Sequence, residues 1–155
     1  MLEILYCLDP TLFSGTLRTN MDPFNQFSDD DIFTALRRVH LLPSADSLDT
    51  DELEDVNANV FRDLNTSVSE GGKNFSQGQR QLLCLARALL RRNHLVLMDE
   101  ATASVDFQTD KAIQKTITTE FADCSILCIA HRLHTVIEYD RILVLDQGKI
   151  VEYAR

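Results

Sequence analysis

Two adjacent acids end an apolar segment in the second half of the chain. Residues 95–98 are a continuous apolar run, typical of a β-strand buried on both faces, and Asp99 and Glu100 follow directly. Ligands of open α/β sheets bind outside the carboxyl ends of the strands, so both carboxylates are placed where a ligand would lie. Asp99 is suited to hold Mg²⁺ through water, and Glu100 to polarise a water for attack on a γ-phosphate. The same pattern also occurs in strands without any catalytic role.

A histidine and a serine-glycine segment are two further candidates. A second apolar run ends at His131, which could contact the same γ-phosphate or orient the attacking water. The segment SQGQ begins at Ser76 and opens a helix, where backbone N–H groups, the serine hydroxyl and Gly78 together suit a phosphate. Each candidate also has a structural interpretation. A histidine after a strand is commonly structural, and Ser76 with Gln79 has the spacing of a plain capping box.

Helix-like and strand-like segments alternate from residue 75 onward, and these elements must position the candidate side chains. Helical spacing of apolar residues predicts helices over residues 79–92 and 109–121. The two apolar runs are the predicted strands, and residues 141–154 close the chain as a hairpin. This alternation predicts an α/β fold with a largely parallel sheet. The core-facing helix positions are Leu82, Leu83, Ala86, Leu89, Leu90, Ala112, Ile113, Thr116 and Ile117.

The chain before residue 75 divides into a turn-rich part and an acidic part. Ser28 and Asp31 have capping-box spacing and predict the start of an amphipathic helix. Residues 44–59 are polar and acidic, and they predict an exposed loop with local helix. A further short helix is expected around residues 134–140. The apolar positions of the first of these helices are Ile32, Phe33, Leu36 and Val39.

Composition narrows the class of protein. The 155 residues are enough for one domain with a single core, and the net charge of -9 argues against nucleic acid or an anionic lipid surface as the main partner. The four cysteines form no CxxC pair and no zinc-like cluster, which favours free thiols. No apolar run approaches the roughly 20 residues needed to span a bilayer, and the N-terminal stretch, which has an acid at Glu3 and no basic region, is a poor signal peptide. We therefore expect no direct membrane span in this chain.

The order and spacing of four motifs resemble those of the ABC ATPase family. The resemblance implies an α/β, P-loop NTPase-like parallel sheet with a helical signature subdomain and with the N-terminal part missing. The four segments are FSQGQRQLLCLARALL (75–90, signature motif and helix), LVLMDE (95–100, Walker B and catalytic glutamate), ATASVD (101–106, D-loop) and IAHR (129–132, switch-histidine loop).

The resemblance implies ATP and Mg²⁺ as cofactors, with ATP hydrolysis coupled to transmembrane transport. Glu100 and His131 are then catalytic, and Asp99 holds Mg²⁺ through water. The implied partners are a second nucleotide-binding domain and the transmembrane domains of a transporter, on the cytosolic face of a vacuolar or plasma membrane. The chain itself is expected to be soluble. The residues that would bind a partner's ATP are Ser76, Gln77, Gly78 and Gln79, and the D-loop residues are Ser104 and Asp106.

Finer details resemble one subfamily. DPTLFSGTLRTNMDPF, residues 9–24, is similar to the segment after the Q-loop in the second nucleotide-binding domain of C-subfamily exporters, the multidrug-resistance-associated and fungal vacuolar type. The signature departs from LSGGQ at Phe75 and Gln77. Glu100 is present, whereas the first, degenerate domain of that subfamily often lacks this acid. The resemblance implies organic anions or conjugates as transported substrates.

The chain has no P-loop motif. Its five glycines stand at positions 15, 71, 72, 78 and 148, and none lies in a GxxxxGK[ST] pattern that would cradle the β- and γ-phosphates. Leu8 stands where the family has the Q-loop glutamine. We therefore expect an isolated chain that neither binds ATP tightly nor hydrolyses it, and an apolar sheet surface exposed by the loss of the P-loop strand and helix.

These features divide the chain into an atypical stretch and a family-like part. Residues 1–8 are the atypical stretch, and residues 9–155 are the C-terminal part of a nucleotide-binding domain. Within it, residues 28–92 are the helical and signature region, and residues 93–155 run from Walker B to the hairpin.

Two alternatives remain. One is an inactive truncated fragment that acts only as an interaction or regulatory partner of a transporter domain. The other is a DNA-repair ATPase of the SMC or Rad50 kind. The second is disfavoured because residues 28–74 show a short helix and an acidic loop instead of the coiled-coil heptads that precede the signature in those proteins.

Overall fold

The computed structural model describes residues 4–7, 11–43, 60–91, 94–99, 107–129, 137 and 139–154. The helices in these ranges are α1 (Leu17–Met21), α2 (Asp29–Arg38), α3 (Gln77–Arg91) and α4 (Phe107–Glu120). The strands are β1 (Ile4–Cys7), β2 (Gly15–Thr16), β3 (Ser67–Val68), β4 (Leu95–Asp99), β5 (Ser125–Ile129), β6 (Ile142–Asp146) and β7 (Lys149–Ala154). A 3₁₀ turn, Glu70–Gly72, precedes α3.

A three-stranded parallel sheet carries the predicted strands. Its order is β1-β4-β5, with Leu95 opposite Ser125 and Asp99 opposite Ile129. Val96 and Met98 are buried, whereas Leu95 and Leu97 are only partly covered. The predicted parallel sheet is thereby confirmed, but β4 is not fully buried on both faces, because the described elements leave the second face of the sheet partly open.

The predicted helices form and bury the apolar faces expected for them. Ser28 caps α2 in a capping box with Asp31, as predicted. An ion pair between Arg38 and Glu120 joins the ends of α2 and α4. The predicted helix positions that are buried are Ile32, Leu36, Val39, Leu82, Leu83, Ala86, Leu89, Leu90, Ile113, Thr116 and Ile117, and Phe33 packs against the core while partly exposed.

The segment that leads to α3 contributes to the core. Phe61, Leu64 and Val68 are buried, and the Phe61 ring stacks on Phe75 with centroids 5.5 Å apart. The short antiparallel pair β2-β3 ties this segment to the start of α1. The acidic residues 44–59 lie outside the described ranges. The predicted exposed loop therefore stays a prediction, whereas the buried residues from Phe61 onward belong to the core.

The closing hairpin is antiparallel and is confirmed as predicted. Gln147 and Gly148 both have positive φ, 47° and 75°, which suits a two-residue turn between twisted strands. The short helix expected around residues 134–140 falls mostly outside the described residues. Among the described helices, none has both the length and the apolar character that a bilayer span requires.

Apolar side chains are exposed on β5 and on the hairpin. They include Leu127, Ile129, Leu145, Ile150 and Tyr153, whose exposed fractions lie between 56% and 65%. Phe13, Phe24 and Ile137 are exposed singly elsewhere, whereas on β5 and the hairpin the exposed apolar residues lie on neighbouring positions of strands. The exposed residues of β5 are consistent with the expectation of exposed apolar surface on the parallel sheet, whereas the β6-β7 hairpin is a separate sheet to which that expectation does not apply.

Candidate functional site

The SQGQ segment begins α3 with reciprocal hydrogen bonds. The Gln79 N–H donates to Ser76 Oγ at 3.1 Å, and the Ser76 N–H donates to Gln79 Oε1 at 2.8 Å. This is the capping box that the spacing predicts, so the cap and the candidate phosphate site use the same residues. Ser76 is exposed while Gly78 is buried. The serine hydroxyl accepts from Gln79 and retains an O–H donor for a ligand.

The first signature position is a core residue. Phe75 is 5% exposed, its ring stacks on Phe61, and its N–H donates to the Gly72 carbonyl at 2.9 Å. Phenylalanine instead of leucine at this position is explained by the aromatic partner, because stacked rings pack favourably. Of the two differences from the usual signature, the one at Phe75 is therefore explained by packing in the core.

A tight loop before the signature holds it in place. Asn74 Oδ1 accepts hydrogen bonds from the Ser69 N–H at 3.0 Å and the Ser69 hydroxyl at 2.9 Å. The Asn74 side-chain amide donates to the Ser67 carbonyl at 2.9 Å. These bonds close the loop immediately before Ser76. Nothing in the sequence pattern singled out Asn74, although asparagine in a Gly-containing loop is a common turn residue.

The Walker B-like strand ends beside the strand that leads to the switch histidine. Asp99 is the last residue of β4 and is paired in register with Ile129, the last residue of β5. The two parallel strands therefore end at the same sheet edge, with Glu100 one residue beyond β4 and His131 two residues beyond β5. Glu100, Ser104, Asp106 and His131 themselves lie outside the described residues.

The donor set at this edge is compatible with magnesium. Mg²⁺ in proteins keeps several waters and needs only one or two carboxylates together with substrate phosphates. Asp99, the last residue of β4, and Glu100, which follows it in the sequence, provide the one or two carboxylates that such a site needs. Among the residues that the structure describes, no cluster of three or more His, Cys, Asp or Glu side chains is arranged to hold a metal.

The segment before α2 contains a buried charge. Asp22 is 5% exposed; its Oδ2 accepts from the Phe27 N–H at 2.8 Å and lies 3.3 Å from Arg18 Nη1. Burial opposes ionisation, but hydrogen bonds from the Phe27 and Gln26 N–H groups and the charge of Arg18 together lower the pKa of Asp22. Asp22 stabilises the bend between α1 and α2 in its charged form.

Sequence comparisons identify the family. A family model described as "ABC transporter" matches residues 9–103. The chain is 52% identical over 154 residues to an ATP-dependent bile acid permease of Saccharomyces cerevisiae. It is 50% identical over 149 residues to a pleiotropic ABC efflux transporter of multiple drugs of Candida glabrata, and 50% identical over 145 residues to ATP-binding cassette sub-family C member 2 of Rattus norvegicus.

Each of these matches covers 94% of the chain and 9% of the relative. The chain thus spans about a tenth of the length of the curated relatives that it matches. The family match extends from residue 9 to residue 103. Because the family model covers more than half of the chain, the chain belongs to the ABC transporter family.

Proposed function

We propose that this chain is part of the ATP-binding and ATP-hydrolysing domain of an ABC-type exporter, in which ATP hydrolysis drives transport of organic anions or conjugates. The observation that carries the proposal is the family match over residues 9–103, which includes the signature segment and the Walker B-like strand. The names of the relatives, a bile acid permease and a multidrug efflux transporter, support this substrate class. We propose the second nucleotide-binding domain of a C-subfamily protein as the parent.

In this proposal the signature segment completes the ATP site of a partner domain. Ser76, Gln77, Gly78 and Gln79 stand at the N-terminus of α3, where backbone N–H groups and the helix dipole favour an anion. The exposed Ser76 hydroxyl adds a donor that can reach outward, because its oxygen is already fixed by Gln79. A second nucleotide-binding domain and transmembrane domains are the partners, on the cytosolic face of a membrane.

Hydrolysis in this proposal takes place at the sheet edge where β4 and β5 end. Glu100 accepts a proton from the attacking water, and His131 orients that water or contacts the γ-phosphate. Asp99 would hold Mg²⁺ through water, and Ser104 and Asp106 would form the D-loop contact between domains. When bound, Mg²⁺ would neutralise charge on the phosphates. The adjacent, parallel ends of β4 and β5 support this arrangement.

The proposed fold is a P-loop NTPase-like parallel sheet with a helical signature subdomain. The parallel order β1-β4-β5 and the helical region that contains α2 and α3 support it. An interaction-only role, without catalysis, is the alternative, and no observation favours it.

Substituting Glu100→Gln in the protein that carries this chain tests the catalytic role. The amide cannot accept the proton of water, so we expect steady-state ATP hydrolysis to fall by at least about 100-fold while nucleotide binding persists. The matched control is Glu152→Gln, an exposed acid in β7. Unchanged hydrolysis in the Glu100→Gln variant would refute the proposed role. A separate measurement on the purified 155-residue chain tests the expectation that it neither binds ATP tightly nor hydrolyses it. Micromolar ATP affinity or steady turnover would refute that expectation.

A further inference from the structure

The guanidinium of Arg87 connects α3 to the segment of residues 11–20. Its Nε–H donates to the Asn20 carbonyl at 2.7 Å, and its two terminal nitrogens donate to the Thr11 carbonyl at 2.9 Å and to Asn20 Oδ1 at 2.8 Å. A planar guanidinium presents its donors in a fixed fork, so three simultaneous bonds define both distance and orientation. Arg87 thus fixes the rotation of α3 about its axis relative to this segment.

Asn20 accepts two of the three Arg87 hydrogen bonds, and the hydrogen-bonding capacity of its side-chain amide is fully used. It is 4% exposed. Its Oδ1 accepts from the Phe13 N–H at 2.9 Å as well as from Arg87, and its Nδ2 donates to the carbonyls of Phe13 at 2.8 Å and Thr16 at 3.0 Å. Both lone pairs and both protons of the amide are therefore used. Asn20 folds its own segment into a rigid turn and presents that turn to Arg87.

The same segment is attached a second time, next to the signature. The Gly71 N–H donates to the Leu12 carbonyl at 3.1 Å, and Arg80 Nη1 donates to the Gly71 carbonyl at 3.1 Å. Gly72 lies so close to Leu12 that an added Cβ would be 2.5 Å from Leu12 Cδ1. Arg80 and Arg87 are about 10 Å apart along α3, at 1.5 Å per residue. Residues 11–20 therefore form a brace attached to α3 at two separated points.

We propose that Arg87 is a positioning residue for the signature segment. Apolar packing alone is non-directional and permits small rotations and slides of a helix, whereas the Arg87 fork permits one register. Because α3 is a continuous helix that starts at the signature, fixing Arg87 fixes the orientation of Ser76 about three turns away. The role of Ser76 in ATP binding rests on the proposed function, whereas the hydrogen-bonded connection between Arg87 and residues 11–20 does not.

Residue-resolved amide hydrogen exchange on the full chain tests the connection. In Arg87→Lys the charge and the alkyl stem remain but the fork is lost, so we expect exchange at Phe13, Gly71, Gln79 and Arg80 to rise about tenfold. The matched control is Arg91→Lys, an exposed position one turn further along α3, which should exchange like wild type. Unchanged exchange at Gln79 and Arg80 would overturn the proposal, as would an equal rise in the β6-β7 hairpin, which would indicate general destabilisation.

A kinetic cycle in the protein that carries this chain separates positioning from stability. If Arg87 acts through the signature serine, Arg87→Lys should lower kcat in the wild-type background and have little further effect in a Ser76→Ala background. Independent, multiplicative losses would overturn the proposal. If Ser76→Ala alone leaves hydrolysis unchanged, the proposed function of the signature fails, while the exchange experiment still decides whether Arg87 positions the segment.

Discussion

Asp22 shows how a buried charge is kept ionised in this chain. Its carboxylate receives a backbone N–H from Phe27 and the charge of Arg18, and Arg18 also donates to the Phe27 carbonyl at 2.7 Å. These contacts outweigh the cost of burial, which by itself would raise the pKa. Protonation of Asp22 would remove the charge that these contacts stabilise, so we expect the bend between α1 and α2 to be less stable at acidic pH.

We expect Asp22→Asn to destabilise the chain at pH 7 by about 1–3 kcal/mol, because the amide cannot accept as strongly from Phe27 and Arg18. The folded-state pKa lies below the usual value of 3.8, so the stabilisation is complete above that value and is lost as the pH falls through the folded-state pKa. Urea unfolding of the wild type and of Asp22→Asn between pH 7 and pH 3 measures whether their free energies of unfolding converge. Asp140→Asn, at an exposed position, is the control. A stability difference that does not shrink below pH 3.8 would contradict the argument.

Residue-scale features were predictable where the partners are close in sequence. Ser28 with Asp31 and Ser76 with Gln79 are three residues apart, and both pairs form the capping boxes that their spacing predicts. Arg87 and Asn20 are 67 residues apart, and no local pattern connects them. Their pairing is decided by how α3 packs on the preceding segment, so only the structure reveals it.

At the scale of elements, the glycine turn before α3 has the most demanding geometry. Gly71 and Gly72 have φ of 68° and 65°, a region that residues with a Cβ rarely adopt. The two positions differ in their surroundings. A Cβ at Gly71 would meet nothing within 4 Å, whereas one at Gly72 would collide with Leu12. Alanine substitutions at the two positions therefore distinguish the cost of backbone strain from the added cost of a steric collision.

Gly71→Ala should cost about 1–2 kcal/mol of unfolding free energy, the strain of an alanine in the left-handed region. Gly72→Ala should cost more, because the same strain is joined by displacement of the buried Leu12 side chain. Chemical denaturation of the two variants measures the difference. Equal losses would show that the Leu12 contact adjusts without cost, and would weaken the case for a rigid brace between residues 11–20 and α3.

Periodic elements were predictable, and short ones were not. The helices α2, α3 and α4 and the strands β4 to β7 follow from helical spacing, apolar runs and a turn dipeptide. The two-residue strands β2 and β3 carry no periodicity, and the sequence does not predict β1, which lies in the atypical stretch of residues 1–8. Their pairing depends on neighbours distant in sequence: β1 becomes a strand because β4 offers it a parallel edge.

At the scale of the whole molecule, the described elements leave apolar sheet surface exposed. A parallel sheet is normally covered on both faces, yet Leu127 and Ile129 of β5 are more than half exposed. The hairpin has Leu145 and Ile150 as exposed cross-strand partners. Membership of the ABC transporter family explains the order of motifs along the chain, while the candidate catalytic positions Glu100 and His131 follow from sequence and from where β4 and β5 end.

This exposed surface should make the purified chain self-associate. Leu145 and Ile150 are 62% and 65% exposed on one face of the hairpin, and threonine at both positions is a β-branched residue that strands favour and that replaces apolar surface with a hydroxyl. We expect Leu145→Thr/Ile150→Thr to shift concentration-dependent association, measured by sedimentation velocity, to about tenfold higher protein concentration. Val144→Thr, at the preceding position of the same strand and less exposed, is the matched control and should have a smaller effect. If the double variant associates like wild type, the hairpin face is not the contact surface, and the exposed residues of β5 become the next surface to alter.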